Sequence, residues 1–262
     1  MGIVKRKLVI YGALARASIL ESVRRKDIYV ALILCVLLFG VAATVGSFGV
    51  KGIELFLKDA AVTVISLLST LIAILFSARQ IAEEVSRRTV YPLLARPISR
   101  GDLVIGKFLG AYALSVIALL LFAAVCAGCL APYGIHLGVI FLQYILLRVF
   151  ELGIICALTL MLSLFLTSNA TTTLAILLSV GSTTFAGAIN LLYPTANSTK
   201  QLLLRAAYYG IPQLNLFDLG KKVSNGWTPI AGWAIRDLFL YAALYVALFL
   251  FIGTLRFRRQ SL

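Results

Sequence analysis

"LVIGKFLGAYALSVIALLLFAAVCAGCL", Leu103–Leu130, carries a single charged residue, Lys107. A helix needs about 20 mostly apolar residues to cross the hydrocarbon core of a bilayer. This run is long enough, and its glycines, alanines and serine suit close packing against other membrane helices. Five more apolar runs flank it, at 28–50, 60–77, 147–166, 171–193 and 232–255. The expected fold is therefore all-α: one polytopic membrane domain over 1–262 with six transmembrane helices. Composition agrees. The chain is 61% hydrophobic and 13% charged, whereas soluble domains average roughly 45–50% and 25%. Six crossings leave no room in 262 residues for a separate soluble catalytic domain.

The net charge of +14 raises the question of nucleic acid. The basic residues instead cluster beside the apolar runs, where lipid phosphates and membrane orientation account for them. Lys5, Arg6, Lys7, Arg16, Arg24, Arg25 and Lys26 precede the first run, Arg79 to Lys107 holds six more, and Arg256, Arg258 and Arg259 follow the last. The other side carries fewer, so both termini are expected in the cytoplasm of a bacterial-type plasma (inner) membrane. In the tail, 1–27, a helix over about 7–25 would place Leu8, Tyr11, Ala15, Ile19 and Val23 on one face and keep Arg16 and Arg24 off it. Such a helix suits the membrane surface.

The four cysteines, Cys35, Cys126, Cys129 and Cys156, all lie in apolar runs and suggest no disulfide framework. Cys126 and Cys129 share a helix face and could hold a soft metal. Small residues at such spacing more often serve packing, and no metal site is assigned.

The stretch before the fourth span is too long for one crossing. Counting back from Leu166 places 135–146 as a short helix in the outer leaflet. Arg148 and Glu151 then fall at i, i+3 near the outer boundary, where they can pair. Two readings stand: a structural ion pair, or part of the lining of a translocation path. The outer segment 194–231, with Tyr208, Tyr209, Phe217 and Trp227, reads as short interfacial helices, serving either as a membrane-hugging loop or as a lid. His136 receives no role.

Between spans two and three lies 78–102, "ARQIAEEVSRRTVYPLLARPISRGD". Its start should continue the preceding helix below the membrane. Glu83 and Glu84 stand four residues before Arg87 and Arg88, the favourable order for helical pairs. Pro92 and the turn "RPISRGD" break the helix, and Asp102 is expected to cap the start of span three, with Pro97 and Gly101 outside its body. The result is a helical knuckle projecting into the cytoplasm.

"GDLVIGK" (101–107) matches most of the phosphate-cradling G-x-x-x-x-G-K-[ST] loop. That loop needs a preceding strand, and Ser or Thr after its lysine. Here Phe108 follows Lys107 and no strand precedes Gly101. Gly106 and Gly110 read instead as a small-xxx-small face for helix packing.

At this point the run "EEVSRRTVYPLLARPISRGDLVIGKFLGAY" (83–112) resembles the type-2 ABC exporter permeases, in which an acidic-basic coupling helix follows span two. "YYGIPQLNLFDLG" (208–220) is similar to a stretch of the subgroup near the permease of nitrous-oxide-reductase copper-site maturation. The chain departs from many relatives at Arg88–Thr89, where they carry Gly-Thr. The resemblance implies a non-catalytic subunit that works as a dimer, homodimeric or heterodimeric. Each copy would sit on a separate cytoplasmic ATPase that binds the ATP and magnesium. Glu83, Glu84, Arg87 and Arg88 would meet that ATPase, while Arg96 and Arg100 would anchor the turn at lipid headgroups. The inner turn "TSNAT" (167–171) would be a second, minor contact.

Three functional classes compete: a permease; an ABC membrane subunit that drives a partner across the membrane without moving a substrate through itself; and an intramembrane enzyme. Few polar residues mark the spans, Ser66, Ser69 and Thr70 among them, which keeps the second class open. A single histidine and an isolated Glu151 argue against the third. Lipid, lipid-linked glycan, peptide, drug and a sulfur- or copper-related cargo all fit the sequence. An apolar interface between two halves leans towards an amphipathic molecule.

Overall fold

A computed structural model describes residues 11–13, 15–17, 27–46, 53–86, 100–135, 137–192, 200–201 and 212–259. Its long helices are α1 (Asp27–Gly46), α2 (Ile53–Ser86), α3 (Arg100–Leu130), α4 (Val139–Ser163), α5 (Ser168–Leu192) and α7 (Gly232–Arg259), with a short α6 (Gly220–Ser224) before the last. Among the described residues α2, α3, α4 and α7 each have the length and apolarity to cross a membrane, so this is a multi-pass membrane protein. α2, α3 and α4 pack on one another, and α7 lies along α4 and α3. The core runs through them: Ile65, Ile74, Leu114, Phe122, Tyr144 and Leu147 are essentially inaccessible. By contrast α1 and α7 leave Ile33, Leu37, Leu244 and Phe251 exposed. In a membrane, exposure of this kind meets acyl chains or another helix and has no hydrophobic cost.

Helix α2 is one element of 34 residues. At 1.5 Å per residue it extends about 51 Å, well beyond a hydrocarbon core of about 30 Å. Its final turns carry Glu83 and Glu84, so span two continues as helix past the expected 60–77. It also begins earlier, where Lys58 pairs with Glu54 at 2.6 Å.

Several expectations are corrected. The fourth span is a single helix from Val139 to Ser163, with no separate helix over 135–146. The polypeptide instead turns sharply beforehand, through a 3₁₀ turn at Ala131–Tyr133 closed by Gly134 at φ +67°, a conformation that glycine adopts without strain. Removing the extra helix shifts the whole span, so Glu151 lies at its midpoint rather than near the outer boundary. Gly101 and Asp102 lie inside α3, which starts at Arg100, so Asp102 is not its N-cap. It accepts a hydrogen bond from the Tyr11 hydroxyl at 2.7 Å, and this bond holds the Tyr11 phenol above its ordinary pKa range. Lys107 is buried among the helices. Phe217 is fully buried in the bundle, whereas Trp227 is exposed as an interfacial ring would be.

In the N-terminal segment, Tyr11 and Ala15 are half-buried and Arg16 is exposed; most of 7–25 lies outside the described residues. Tyr11 meets Asp102, and the Cys35 and Cys126 sulfurs lie 4.0 Å apart; both pairs are 91 residues apart. Tyr11 and Cys35 therefore meet α3 in the same order, near its start and near its end. Cys126 is buried with its sulfur against Cys35 of α1, while Cys129 is half-buried.

Candidate functional site

Tyr144 and Arg148 stand one turn apart on α4 and share a face. The Tyr144 hydroxyl donates to the Val62 carbonyl at 3.0 Å, and Arg148 Nη2 donates to the Ser66 carbonyl at 2.8 Å. Both bonds join residues 82 apart, so α4 and α2 run parallel and in register, turn against turn. Arg148 Nη2 also reaches Thr70 Oγ1 at 2.8 Å and, more weakly, Ser69 Oγ at 3.4 Å. Nη1 donates to Glu151, the ion pair expected from their spacing. Both side chains are buried, at 3% and 6% exposure. An ionised group at this depth is costly unless it is paired and hydrogen-bonded. Arg148 is paired on one side and tied to α2 on the other. Its Nε is the remaining donor and has no hydrogen-bond partner.

The pair borders a cavity of about 310 Å³. Thr63, Ser66 and Thr70 of α2 give it a polar wall with Arg148 and Glu151, while Leu67, Leu71, Ile74, Ile176 and Val180 give an apolar one. Ser179 of α5 adds a hydroxyl. Leu214, Asn215 and Asp218 of the outer segment close over it.

That segment is built to stay in place. Asp218 Oδ1 accepts the Gly220 N–H at 2.8 Å and makes a tight turn. Gly220 rests on α2 so closely that a Cβ there would lie 2.9 Å from Val62 Cγ1. Ser224 Oγ donates to Asp59 at 3.1 Å. The Gln213 N–H donates to the Tyr241 hydroxyl at 3.0 Å. Gln143 and the Ile230 backbone exchange two hydrogen bonds, at 3.0 and 2.8 Å. The outer segment is thus clasped to α2, α4 and α7.

The structure brings Arg148 and Glu151 together with Ser66, Ser69 and Thr70, which the sequence suggested only as a loose polar set. Sequence reasoning assigned no role to Asp218, Asn215 or Ser179. The signal was present in "NLFDLG", where Asp-x-Gly marks a turn rather than a helix. Of the coupling residues, Glu83 and Glu84 lie in the last turn of α2 and Arg100 opens α3. Their side chains, and the whole of Arg87, Arg88 and Arg96, lie outside the described residues. Gly106 and Gly110 are buried in α3. Residues 101–107 are helical throughout and do not form the open loop that cradles phosphate. The turn between α4 and α5 lies earlier than "TSNAT", over 164–167, since α4 ends at Ser163 and Ser168 already begins α5. Among the described residues no group of three or more His, Cys, Asp or Glu side chains is placed to hold a metal ion.

Residues 12–262 match the sequence signature of a family described as ABC-2 family transporter protein. No curated protein matches the chain.

Proposed function

The chain belongs to the ABC-2 transporter family, and on that premise we propose that it is an exporter-type permease whose inner knuckle receives motion from a cytoplasmic ATPase. Two copies of the chain, or one copy and a close relative, form the membrane unit in the plasma membrane, with termini on the ATPase side. ATP and magnesium are held by the partner. Glu83, Glu84, Arg87 and Arg88 meet it, and Arg96 and Arg100 hold the turn at the headgroups.

The observation that carries this reading is the continuity of α2. The helix gripped by Arg148 at Ser66 and Thr70 is the one that ends in Glu83 and Glu84. Thirteen residues separate Thr70 from Glu83, about 20 Å of helix. A rigid helix transmits displacement along its axis because its backbone hydrogen bonds do not yield. A push on its inner end therefore reaches the Arg148 cluster. Coupling of this kind is mechanical and needs an element with two arrangements. The Arg148 bonds to carbonyl and hydroxyl oxygens of α2 would be the contacts that such a displacement rearranges.

Purification of the tagged chain with its neighbouring gene products should bring down a soluble ATPase. Reversal of both acids, Glu83→Lys with Glu84→Lys, should abolish that association and leave membrane insertion intact. Normal association in the double variant would remove the coupling assignment, and a chain that purifies alone under mild detergent would remove the permease reading.

A further inference from the structure

We infer that the inner halves of α2, α4 and α5 part at one level of the bundle and take up water there. The inference rests on the permease reading and names the place where its moving parts separate. Four side-chain oxygens carry it: Ser77 Oγ and Gln80 Oε1 of α2, Thr159 Oγ1 of α4 and Thr171 Oγ1 of α5. None has a hydrogen-bond partner among the described residues. Ser77, Thr159 and Thr171 are fully buried, and Gln80 nearly so. Ser77 lies against the Cys156 thiol, whose sulfur is a weak acceptor. The four oxygens share a level. The offset of 82 residues in the Tyr144 and Arg148 bonds sets Thr159 opposite Ser77, and Gln80 is on the next turn of α2. α4 and α5 form a hairpin through 164–167. Thr159 lies about one turn before the bend and Thr171 about one turn after it, so the two stand at the same height. α2 packs on both helices.

A buried hydroxyl or amide that finds no partner bears the whole cost of losing its water. Nearly all buried polar groups in folded proteins are paired, so four unpaired oxygens where three helices meet concentrate that cost in one layer. Apolar packing holds the layer shut: Ala73, Ile74 and Ile155, one turn before it on α2 and α4, are essentially inaccessible. In this arrangement the oxygens are sealed from solvent. When the helices separate, water answers all four at once. On α2 the layer lies between the Arg148 grip at Ser66 and Thr70 and the acids Glu83 and Glu84. A displacement of those acids therefore meets the layer before it reaches Arg148. Closed and dry, or parted and wet, are the two arrangements that mechanical coupling needs.

The test uses the full chain, purified with its ATPase in mild detergent, in a background whose native cysteines are replaced. Ser77→Cys places a thiol in the layer. Ala157→Cys places one in the core on the opposite face of α4 from Thr159. A small charged methanethiosulfonate reagent reports the arrival of water, because it reaches a thiol only through water and reacts with the thiolate. Ser77→Cys should react slowly without nucleotide and about tenfold faster during ATP turnover, the gain when a minor open state becomes a major one. Ala157→Cys should stay unreactive in both conditions. Thr159→Val combined with Thr171→Val keeps both shapes and removes two unpaired hydroxyls. It should raise the thermal midpoint by about 2–4 °C and abolish most of the ATP-driven gain at Ser77→Cys. A reaction rate at Ser77→Cys that ATP leaves unchanged would overturn the proposal. So would equal gains at both thiols, or a lowered thermal midpoint in the double valine variant. An ATPase that co-purifies and turns over while Ser77→Cys stays unreactive would remove this inference alone. Loss of the ATPase from the unmodified chain would remove the permease reading.

Discussion

Arg148 shows how a single buried charge can fix the register of two helices. Its guanidinium is planar and multidentate, so it serves Glu151 on its own helix and three oxygens on α2 at once. Lysine could not do this with one point charge. Removing one member of a buried pair leaves the other uncompensated, at a cost of about 3–5 kcal/mol, whereas apolar replacement of both is often close to neutral. Glu151→Gln should therefore lower the thermal midpoint in detergent sharply, while Arg148→Met combined with Glu151→Leu should recover much of the loss. Thermal melts followed by intrinsic fluorescence decide it: a double variant as unstable as the sum of the singles would show that the pair does not act as a unit. The pairing itself was legible in the sequence as an i, i+3 spacing. The oxygens that complete it were not, because they lie on a helix some 80 residues away and two of the contacts are to hydroxyls of a kind common in membrane helices.

Between elements, the outer segment depends on one close approach. Gly220 sits where a Cβ would come 2.9 Å from Val62 Cγ1 and 3.0 Å from Asp218 Oδ1. Neither neighbour can yield freely: the valine is buried, and the aspartate is held by the turn it closes. Gly220→Ala should cost about 1–3 kcal/mol, as overpacking does, and should loosen the clasp at Ser224 and Asp59. Shortening the opposing side chain with Val62→Ala should restore much of the stability. Limited proteolysis near Asn225 reports the clasp directly; a Gly220→Ala variant as resistant as the parent would show that the contact does not matter. The sequence marked this region as short helices near an interface because it is rich in aromatic, proline and glycine residues. It did not show that Phe217 turns inward, since an aromatic ring suits a headgroup layer and a helix core equally well.

At the scale of the molecule, the orientation proposed from the charge pattern would put the outer segment and the N-terminal segment on opposite sides of the membrane. Cysteine labelling checks it in a background whose four native cysteines are replaced. Thr228→Cys, on an exposed turn, should react with a membrane-impermeant maleimide in intact cells. Ala13→Cys, also exposed, should react only after permeabilisation. Labelling of both from outside would reverse or break the proposed topology. In that orientation the start of α3, where Tyr11 meets Asp102, would lie on the inner side, and the Arg148 cavity would lie towards the outer segment, whose Leu214, Asn215 and Asp218 line it.

By itself the sequence determined that this chain is helical and membrane-spanning. Those features follow from local rules: apolar length against bilayer thickness, lysine and arginine clustering, and proline and glycine as breaks. Only the tertiary structure decided the depth of Arg148 and Glu151. The sequence alone placed them near the outer boundary, because a span was counted back from its inner end and the remainder treated as a separate helix. In the fold the helix runs from Val139 to Ser163, and the excess length is taken up by the turn at Gly134 on one side and the turn over 164–167 on the other. The pair therefore sits at mid-span, where a charge persists only because α2 supplies its oxygens. That requirement is non-local, and no window of sequence contains both halves of it.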